Sequence, residues 1–324
     1  MSFSISVVIP VYNSADSLRV CLQALARSTR APDECIVVDD GSTDSSGDVA
    51  RTLGVRVIET GGRRGPAFAR NLGARAAQGE LLLFLDADVA IHEGTLAGIA
   101  ERFAREADLD ALIGSYDDEP SSPDFLSQYK NMQHCYVHRQ ACRLASTFWT
   151  GCGAVRRDVF MAHGGFDDGR WAIEDIEFGY RMHAAARKIA LDPELQVKHL
   201  KRWTLWNWLR TDIFVRAIPW TEIILRYRRM PDDLNTGLSQ RASVAGIFAI
   251  PVAMAFGGPL AAALLLAIVL WLNRDFYGFL VRKRGWWFAA RAIPPHLIYM
   301  LYSGVGFAIG VLKHVAKSAV SGAS

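Results

Sequence analysis

Charged residues recur at short intervals among brief apolar runs as far as Arg241, after which Ser243 to Leu272 and Ala292 to Leu312 contain none. The first regime is that of a folded water-exposed domain, and the second that of helices meant for a bilayer. The change of regime falls near residues 230–242. In the first regime, Ser4 to Pro10 reads as a strand. Ser14 to Ala26 follows as a helix, with Ser14 as its cap and Leu18, Cys21, Leu22 and Leu25 on its apolar face. Glu34 to Asp39 is a second strand, Asp44 caps a helix running to Leu53, and Val55 to Glu59 is a third strand. The basic glycine-rich loop Gly61 to Pro66 opens the helix Ala67 to Ala77. Leu81 to Leu85, five apolar residues without polar alternation, reads as a strand buried on both faces. Strands alternating with helices across short loops predict an α/β domain with a mostly parallel sheet and right-handed crossovers.

Beyond Asp88 the pattern loosens. It predicts a helix over Thr95 to Ala104, a strand over Ala111 to Gly114 and a polar loop over Tyr116 to Asp124. A helix from Phe125 to about Arg143 leads into the turn Trp149 to Gly153. The pair Gly164-Gly165 precedes an acidic helix start at Glu174-Asp175, and Val197 and His199 lie on a last short strand. Ser243 to Leu272 is too long for a single span and is interrupted by Gly257-Gly258-Pro259, which predicts a helical hairpin. Trp286 to Leu312 is a further span, with Trp286 and Trp287 at one interface and Pro294-Pro295 allowing a kink. Arg282, Lys283 and Arg284 lie between hairpin and span, on the catalytic side, so the positive-inside rule places that side in the cytoplasm. Trp203, Trp206, Trp208, Trp220, Arg210 and Arg216 mix aromatics and cations, as an interfacial helix or an ordinary domain-closing helix would.

Composition narrows the field. A net charge of +3 over 324 residues is too small to imply nucleic acid, and 51% hydrophobic content is high for a soluble enzyme. Five cysteines without paired spacing suit a reducing compartment, and no disulfide is expected. The amino terminus shows no basic leader. His134, Cys135, His138 and Cys142 fall within one predicted helix, but zinc held by one helix alone, without a CxxC pair, is unusual.

The chemistry concentrates at strand ends. Asp86-Ala87-Asp88 closes the Leu81 strand, and alternate carboxylates there suit Mg²⁺ or Mn²⁺, although a solvated strand end carries the same residues. Asp39-Asp40-Gly41-Ser42 repeats the arrangement, placing an acceptor where the N–H of a flat base can bond, or merely turning into a helix.

Taken in order, Val8 to Asn13, Asp39 to Ser42, Gly65-Pro66-Ala67 with Ala69-Arg70-Asn71, Asp86-Ala87-Asp88, Gly164 to Asp167 and Glu174-Asp175 resemble family 2 glycosyltransferases of GT-A fold. The resemblance covers roughly residues 4–210. It implies a nucleotide-diphospho-sugar transferase domain over 1–215 with a Rossmann-like sheet. After it come interfacial or linker helices (216–242), the hairpin (243–273), a basic connector (274–285), the span (286–312) and a tail (313–324). By the same resemblance Pro10, Tyr12, Asn13, Asp40, Gly65, Arg70 and Asp86 hold the nucleotide sugar. Asp88, with Asp86 and His199, holds the divalent ion, and Asp175, beside Glu174, is the general base. The acceptor side comprises Trp149, Gly151, Cys152, Gly153, Arg202 and Trp203. Processive members carry Gln-x-x-Arg-Trp where this chain has His199-Leu200-Lys201-Arg202-Trp203, which speaks against a polysaccharide synthase.

The expected reaction is therefore an inverting transfer from a UDP- or GDP-sugar to a membrane lipid, whether polyprenyl phosphate, lipid alcohol or lipid-linked saccharide. The expected setting is a multi-pass protein of a bacterial-type inner membrane. Nucleotide sugar, lipid acceptor and bilayer are the implied partners, nucleic acid is not, and a homo-oligomeric assembly stays open. A processive synthase and an inactive membrane-anchored nucleotide-sugar binding protein are the competing readings.

Overall fold

The structure is a computed structural model that describes residues 3–232 and 234–321. The chain divides into two compact units, Met1–Arg202 and Trp203–Ser324. The first unit thus closes earlier than the expected boundary at residue 215. Thr204 explains why: its hydroxyl accepts from the Asn207 amide (3.3 Å) while Asn207 Oδ1 accepts from the Thr204 amide (2.8 Å), a reciprocal cap that starts a new helix.

The first unit runs β1 (Ile5–Val11), α1 (Ala15–Ala26), β2 (Glu34–Asp39), α2 (Ser46–Thr52), β3 (Arg56–Glu59), α3 (Pro66–Ala76), β4 (Leu81–Leu85) and β5 (Val89–Ile91). It continues with α4 (Thr95–Arg105), β6 (Ala111–Tyr116), α5 (Phe125–Gln140), β7 (Cys152–Arg156), α6 (Arg157–Ala162), α7 (Glu174–Ala184) and β8 (Ile189–His199). The strands form one sheet in the order β3-β2-β1-β4-β7-β6-β8-β5. Its first four strands are parallel, as the alternating pattern predicts, whereas β7 runs antiparallel to both β4 and β6, and β5 antiparallel to β8. The sheet is therefore mixed. Every residue of β4 is buried, as a strand covered on both faces requires. Strand order reverses between β1 and β4, the place where open α/β sheets leave a crevice beyond their carboxyl ends.

Two loops at that end are tied together by side chains. Ser14 does not cap α1 with its hydroxyl, as its position suggested; Asp44 Oδ2 reaches across to accept from the Ala15 amide (3.1 Å). Asn13, at φ 50°, accepts from the Thr43 amide (2.7 Å) in return. Asparagine tolerates this left-handed conformation better than most residues.

The second unit contains α8 (Leu205–Arg210), a π-helical segment (Thr211–Ala217), α9 (Ile218–Tyr227), α10 (Leu238–Leu272), α11 (Arg274–Arg284) and α12 (Trp286–Ser321). Gly258, at φ 75° and ψ −175°, breaks α10 just before Pro259. Its two legs fold back on each other: Asn273 Nδ2 donates to Ser243 Oγ at 2.8 Å, and a methyl at Gly246 would come within 2.7 Å of Val269. The expected basic connector is itself a helix, α11, and the last helix continues past the expected end at Leu312. Residues 322–324 of the expected tail lie outside the described residues, as do Met1, Ser2 and residue 233. Leu238–Leu272 and Trp286–Lys317 are long and apolar enough to cross a membrane. Within this unit Asp212 Oδ2 accepts from Trp208 Nε1 (2.8 Å) and from the Tyr302 hydroxyl, which pins the π-helical segment to α12.

Candidate active site

Strands β1, β2 and β4 deliver Pro10 to Asn13, Asp39-Asp40 and Asp86 to Asp88 to one end of the sheet. The register pairs Val11 with Asp39 and Val8 with Phe84, so these ends lie side by side. A buried cation joins this end to the acidic start of α7. Arg70, on α3 and 5% exposed, donates through Nη2 to Asp86 Oδ1 at 2.6 Å and through Nη1 to Glu174. Residues more than a hundred positions apart are thus brought to one charge cluster. Arg70 lies beneath the site, engaged with carboxylates, where the sequence suggested contact with a nucleotide.

Glu174 is deeply buried and Asp175 beside it is partly buried. Burial raises the Glu174 carboxyl to about 7, against the opposing pull of Arg70. Asp175 is raised in the same way, with Arg70 and the amides of Thr150 and Ile176 holding it down. Thr150 contributes twice to Asp175 Oδ2, through its amide at 3.2 Å and its hydroxyl at 3.3 Å. The Ile176 amide donates to Oδ1 at 2.8 Å. A carboxylate fixed on both oxygens keeps its orientation while burial raises its proton affinity, and both serve a general base. Thr150 escaped the sequence reading although its neighbours Trp149 and Gly151 were named; no spacing distinguishes a hydroxyl that faces a base from one in a turn. Ile173, just ahead of the pair, sits at φ 53°, a conformation that costs a β-branched residue about 1–3 kcal/mol.

Asp88 and His199 face each other because β5 and β8 are antiparallel, with Val89 opposite His199 and the Leu200 amide bonded to the Asp88 carbonyl at 2.8 Å. Asp88 Oδ2 and His199 Nε2 stand 3.9 Å apart, too far for a hydrogen bond. A cation with bonds of about 2.0–2.2 Å fits between them. Tyr116 stacks on the His199 ring at 4.3 Å and 20°, with Trp149 edge-on to Tyr116 at 4.8 Å. Among the described residues no three His, Cys, Asp or Glu side chains already stand together as a metal-holding group. That holds for Asp86, whose carboxylate is engaged by Arg70, and equally for His134, Cys135, His138 and Cys142. Two protein ligands with the remaining positions left to water and phosphate oxygens is the usual economy of a Mg²⁺ or Mn²⁺ site.

Asp40 has a structural job. Its Oδ1 accepts from the Arg64 amide and its Oδ2 from the Gly65 amide, both at 2.8 Å, so it anchors the glycine-rich loop from below. That loop carries Arg63, whose guanidinium lies over the Tyr12 ring at 4.2 Å and over the Trp171 ring at 5.0 Å. Gly65 is positioned by the same packing, since a Cβ there would touch Trp171 at 3.4 Å. Arg63 lies in the basic glycine-rich loop that the sequence marks out, whereas Trp171 belongs to no motif there.

The expected acceptor side is only partly preserved. Cys152 and Gly153 are paired in β7 with Leu85 and Phe84, inside the sheet, and the Cys152 side chain is 1% exposed. They form the floor of the domain, because the segment that read as a turn becomes a strand after Gly151. Trp149 stays partly exposed, Trp203 is buried, and the Arg202 guanidinium is exposed, 3.9 Å from Asp124.

Residues 6–164 match the family model described as Glycosyl transferase family 2, and the chain carries a domain of that family. It is 36% identical over 121 residues to glycosyltransferase GlyG of Streptococcus pneumoniae, covering 36% of this chain and 40% of that protein. Validoxylamine A glucosyltransferase of Streptomyces hygroscopicus subsp. limoneus is 34% identical over 217 residues, 56% of this chain and 48% of its own. The chain thus spans about half or less of these relatives' length. In fold it resembles a mannosyltransferase of Pyrobaculum calidifontis solved with GDP-Man and Mn²⁺, at a TM-score of 0.66 and 20% identity, over 95% of this chain and 88% of that one. This likeness agrees with the GT-A class of fold inferred from the sequence.

Proposed function

We propose that the protein is an inverting glycosyltransferase that moves a sugar from a UDP- or GDP-sugar to a membrane lipid. The observation that carries the reading is the Arg70 bridge, which locks the strand-end carboxylate Asp86 to Glu174, the neighbour of Asp175, whose two carboxylate oxygens are both held by hydrogen bonds. Donor-side and acceptor-side chemistry thereby share one site. The acceptor oxygen attacks the anomeric carbon, the bond from that carbon to the diphosphate oxygen breaks, and the acceptor proton passes to Asp175. Asp88 and His199 would hold a divalent ion, which would supply positive charge to the departing nucleoside diphosphate. The neighbour solved with GDP-Man and Mn²⁺ supports such an ion and donor, without choosing between Mg²⁺ and Mn²⁺.

The lipid acceptor is supported by the two apolar helices, which bring the transferase domain to a bilayer in the same chain. In this reading the protein is a multi-pass membrane protein whose catalytic domain faces the cytoplasm, with Arg282, Lys283 and Arg284 at the end of α11 on the same side. His199 in place of the Gln of processive members favours single transfer over polymer synthesis. The test is turnover of a labelled nucleotide sugar by purified protein in lipid with Mn²⁺. Product carrying one sugar per lipid is expected, long polymer would favour the synthase, and nucleotide-sugar binding with no turnover would favour an inactive binding protein.

A further inference from the structure

We infer that Trp171 is the second wall of the slot for the nucleotide's base, opposite Tyr12, and that Arg63 acts as a placeholder which the base displaces. The inference rests on the nucleotide-sugar reading and goes beyond it, since Trp171 lies outside every motif that carries that reading. One planar cation, the Arg63 guanidinium, reaches two exposed aromatic rings, Tyr12 (37% exposed, 4.2 Å) and Trp171 (57% exposed, 5.0 Å). A nucleobase is flat and π-rich, so the same pair of rings that accepts a guanidinium face accepts a base face.

The surroundings hold this slot in place. Asp40 bonds the amides of Arg64 and Gly65, fixing the loop that presents Arg63. Gly65 lets the Trp171 ring lie directly on that loop, where a Cβ would already be in contact at 3.4 Å. Arg64 is diverted to the Phe68 ring at 4.2 Å, which leaves Arg63 alone between Tyr12 and Trp171. Trp171 stands two residues before the strained Ile173 and three before Glu174, so the wall of the base slot is continuous with the start of the helix bearing the acid pair. Seating a base against Trp171 would steady the segment that sets Glu174 and Asp175.

The test is titration of the full-length protein, in detergent with Mn²⁺, with UDP, GDP and inorganic pyrophosphate, followed by calorimetry. Trp171→Ala should weaken the preferred nucleoside diphosphate by about tenfold or more, and Trp171→Phe by much less, because stacking tolerates another aromatic ring. Pyrophosphate binding should be the same in all three proteins. Arg63→Ala should tighten nucleoside diphosphate binding by about two- to fivefold, as the slot no longer has to be cleared of an exposed cation–π contact. Unchanged nucleotide affinity in Trp171→Ala, or an equal loss for pyrophosphate, would overturn the role of Trp171; weaker binding in Arg63→Ala would overturn that of Arg63. Wild-type protein that binds neither UDP nor GDP would overturn the nucleotide-sugar reading itself.

Discussion

Replacing Arg70 by Met keeps the volume of the side chain's stem and removes its charge, leaving Asp86 and Glu174 without their shared partner. Arg70 and Glu174 are each about 95% buried, so the carboxylate left behind has little water to turn to. Breaking a buried ion pair from one side costs about 3–5 kcal/mol. At about 2–4 °C per kcal/mol for a domain of this size, the melting temperature should fall by about 10 °C at pH 8. The loss should depend on pH with a definite sign. Burial lifts Glu174 to about 7 in the folded protein, above its value in the unfolded chain, so the folded state holds a proton that the unfolded state has released. This group therefore removes stability as pH rises from about 4.3, its unfolded value, to about 7, and in the wild type the decline ends there. Without Arg70 the folded-state value rises further, and the decline continues above pH 7. The gap between wild type and Arg70→Met should thus be wide at pH 8 and narrow at pH 5.5, where Glu174 is neutral in both. Circular-dichroism melts of the two full-length proteins in the same detergent at both pH values measure it. Equal gaps at pH 5.5 and pH 8, or a fall of less than about 2 °C at pH 8, would refute the view that Arg70 is the counter-charge of this cluster.

Thr150→Val removes a hydroxyl donor from Asp175 but keeps the amide. Losing a bond to the charged form raises its proton affinity, so the acidic limb of the kcat profile should move to higher pH with nucleotide affinity unchanged. Asp175→Asn should lower transfer to a lipid alcohol by about 10²–10⁴-fold. Retained transfer to a polyprenyl phosphate, whose second pKa of about 6 leaves it largely ionised, would identify the phosphate as the native kind of acceptor. Tyr116→Leu removes the ring stacked on His199 and should raise the Mn²⁺ concentration for half-maximal activity by about tenfold, read from metal titrations. In the helical unit, Gly310→Leu forces a side chain into Thr221, which a methyl alone would approach to 2.5 Å, and should cost about 1–3 kcal/mol in a thermal melt.

The parts of this architecture written in local sequence are those whose cause is local. An uninterrupted apolar run announces β4, and the break at Gly257-Gly258-Pro259 announces the fold-back of α10, because glycine reaches φ 75° there without a Cβ penalty. Strands β5 and β7 were not legible. Val89–Ile91 and Cys152–Arg156 are short, and what makes them strands is antiparallel pairing with β8, β4 and β6, distant in sequence. The site divides in the same way. Carboxylates at strand ends could be named from their spacing, but the partner each one takes is set by the fold. Asp40 faces the loop amides, Asp86 faces Arg70, and Asp88 faces His199 through strand pairing. Thr150 and Trp171 acquire their neighbours only when distant turns meet, so no pattern marks them beforehand.

The central claim is that the strand-end acids and the α7 acids form one metal-assisted transfer site. The most direct measurement compares wild type, Asp88→Ala and Asp175→Asn for transfer from labelled UDP- and GDP-sugars into lipid, with and without Mn²⁺. The account predicts turnover by wild type only with the metal, none by Asp88→Ala at any metal concentration, and nucleotide binding without transfer to lipid alcohols by Asp175→Asn. Full turnover without metal, full activity in Asp88→Ala, or full transfer to lipid alcohols by Asp175→Asn, would contradict it.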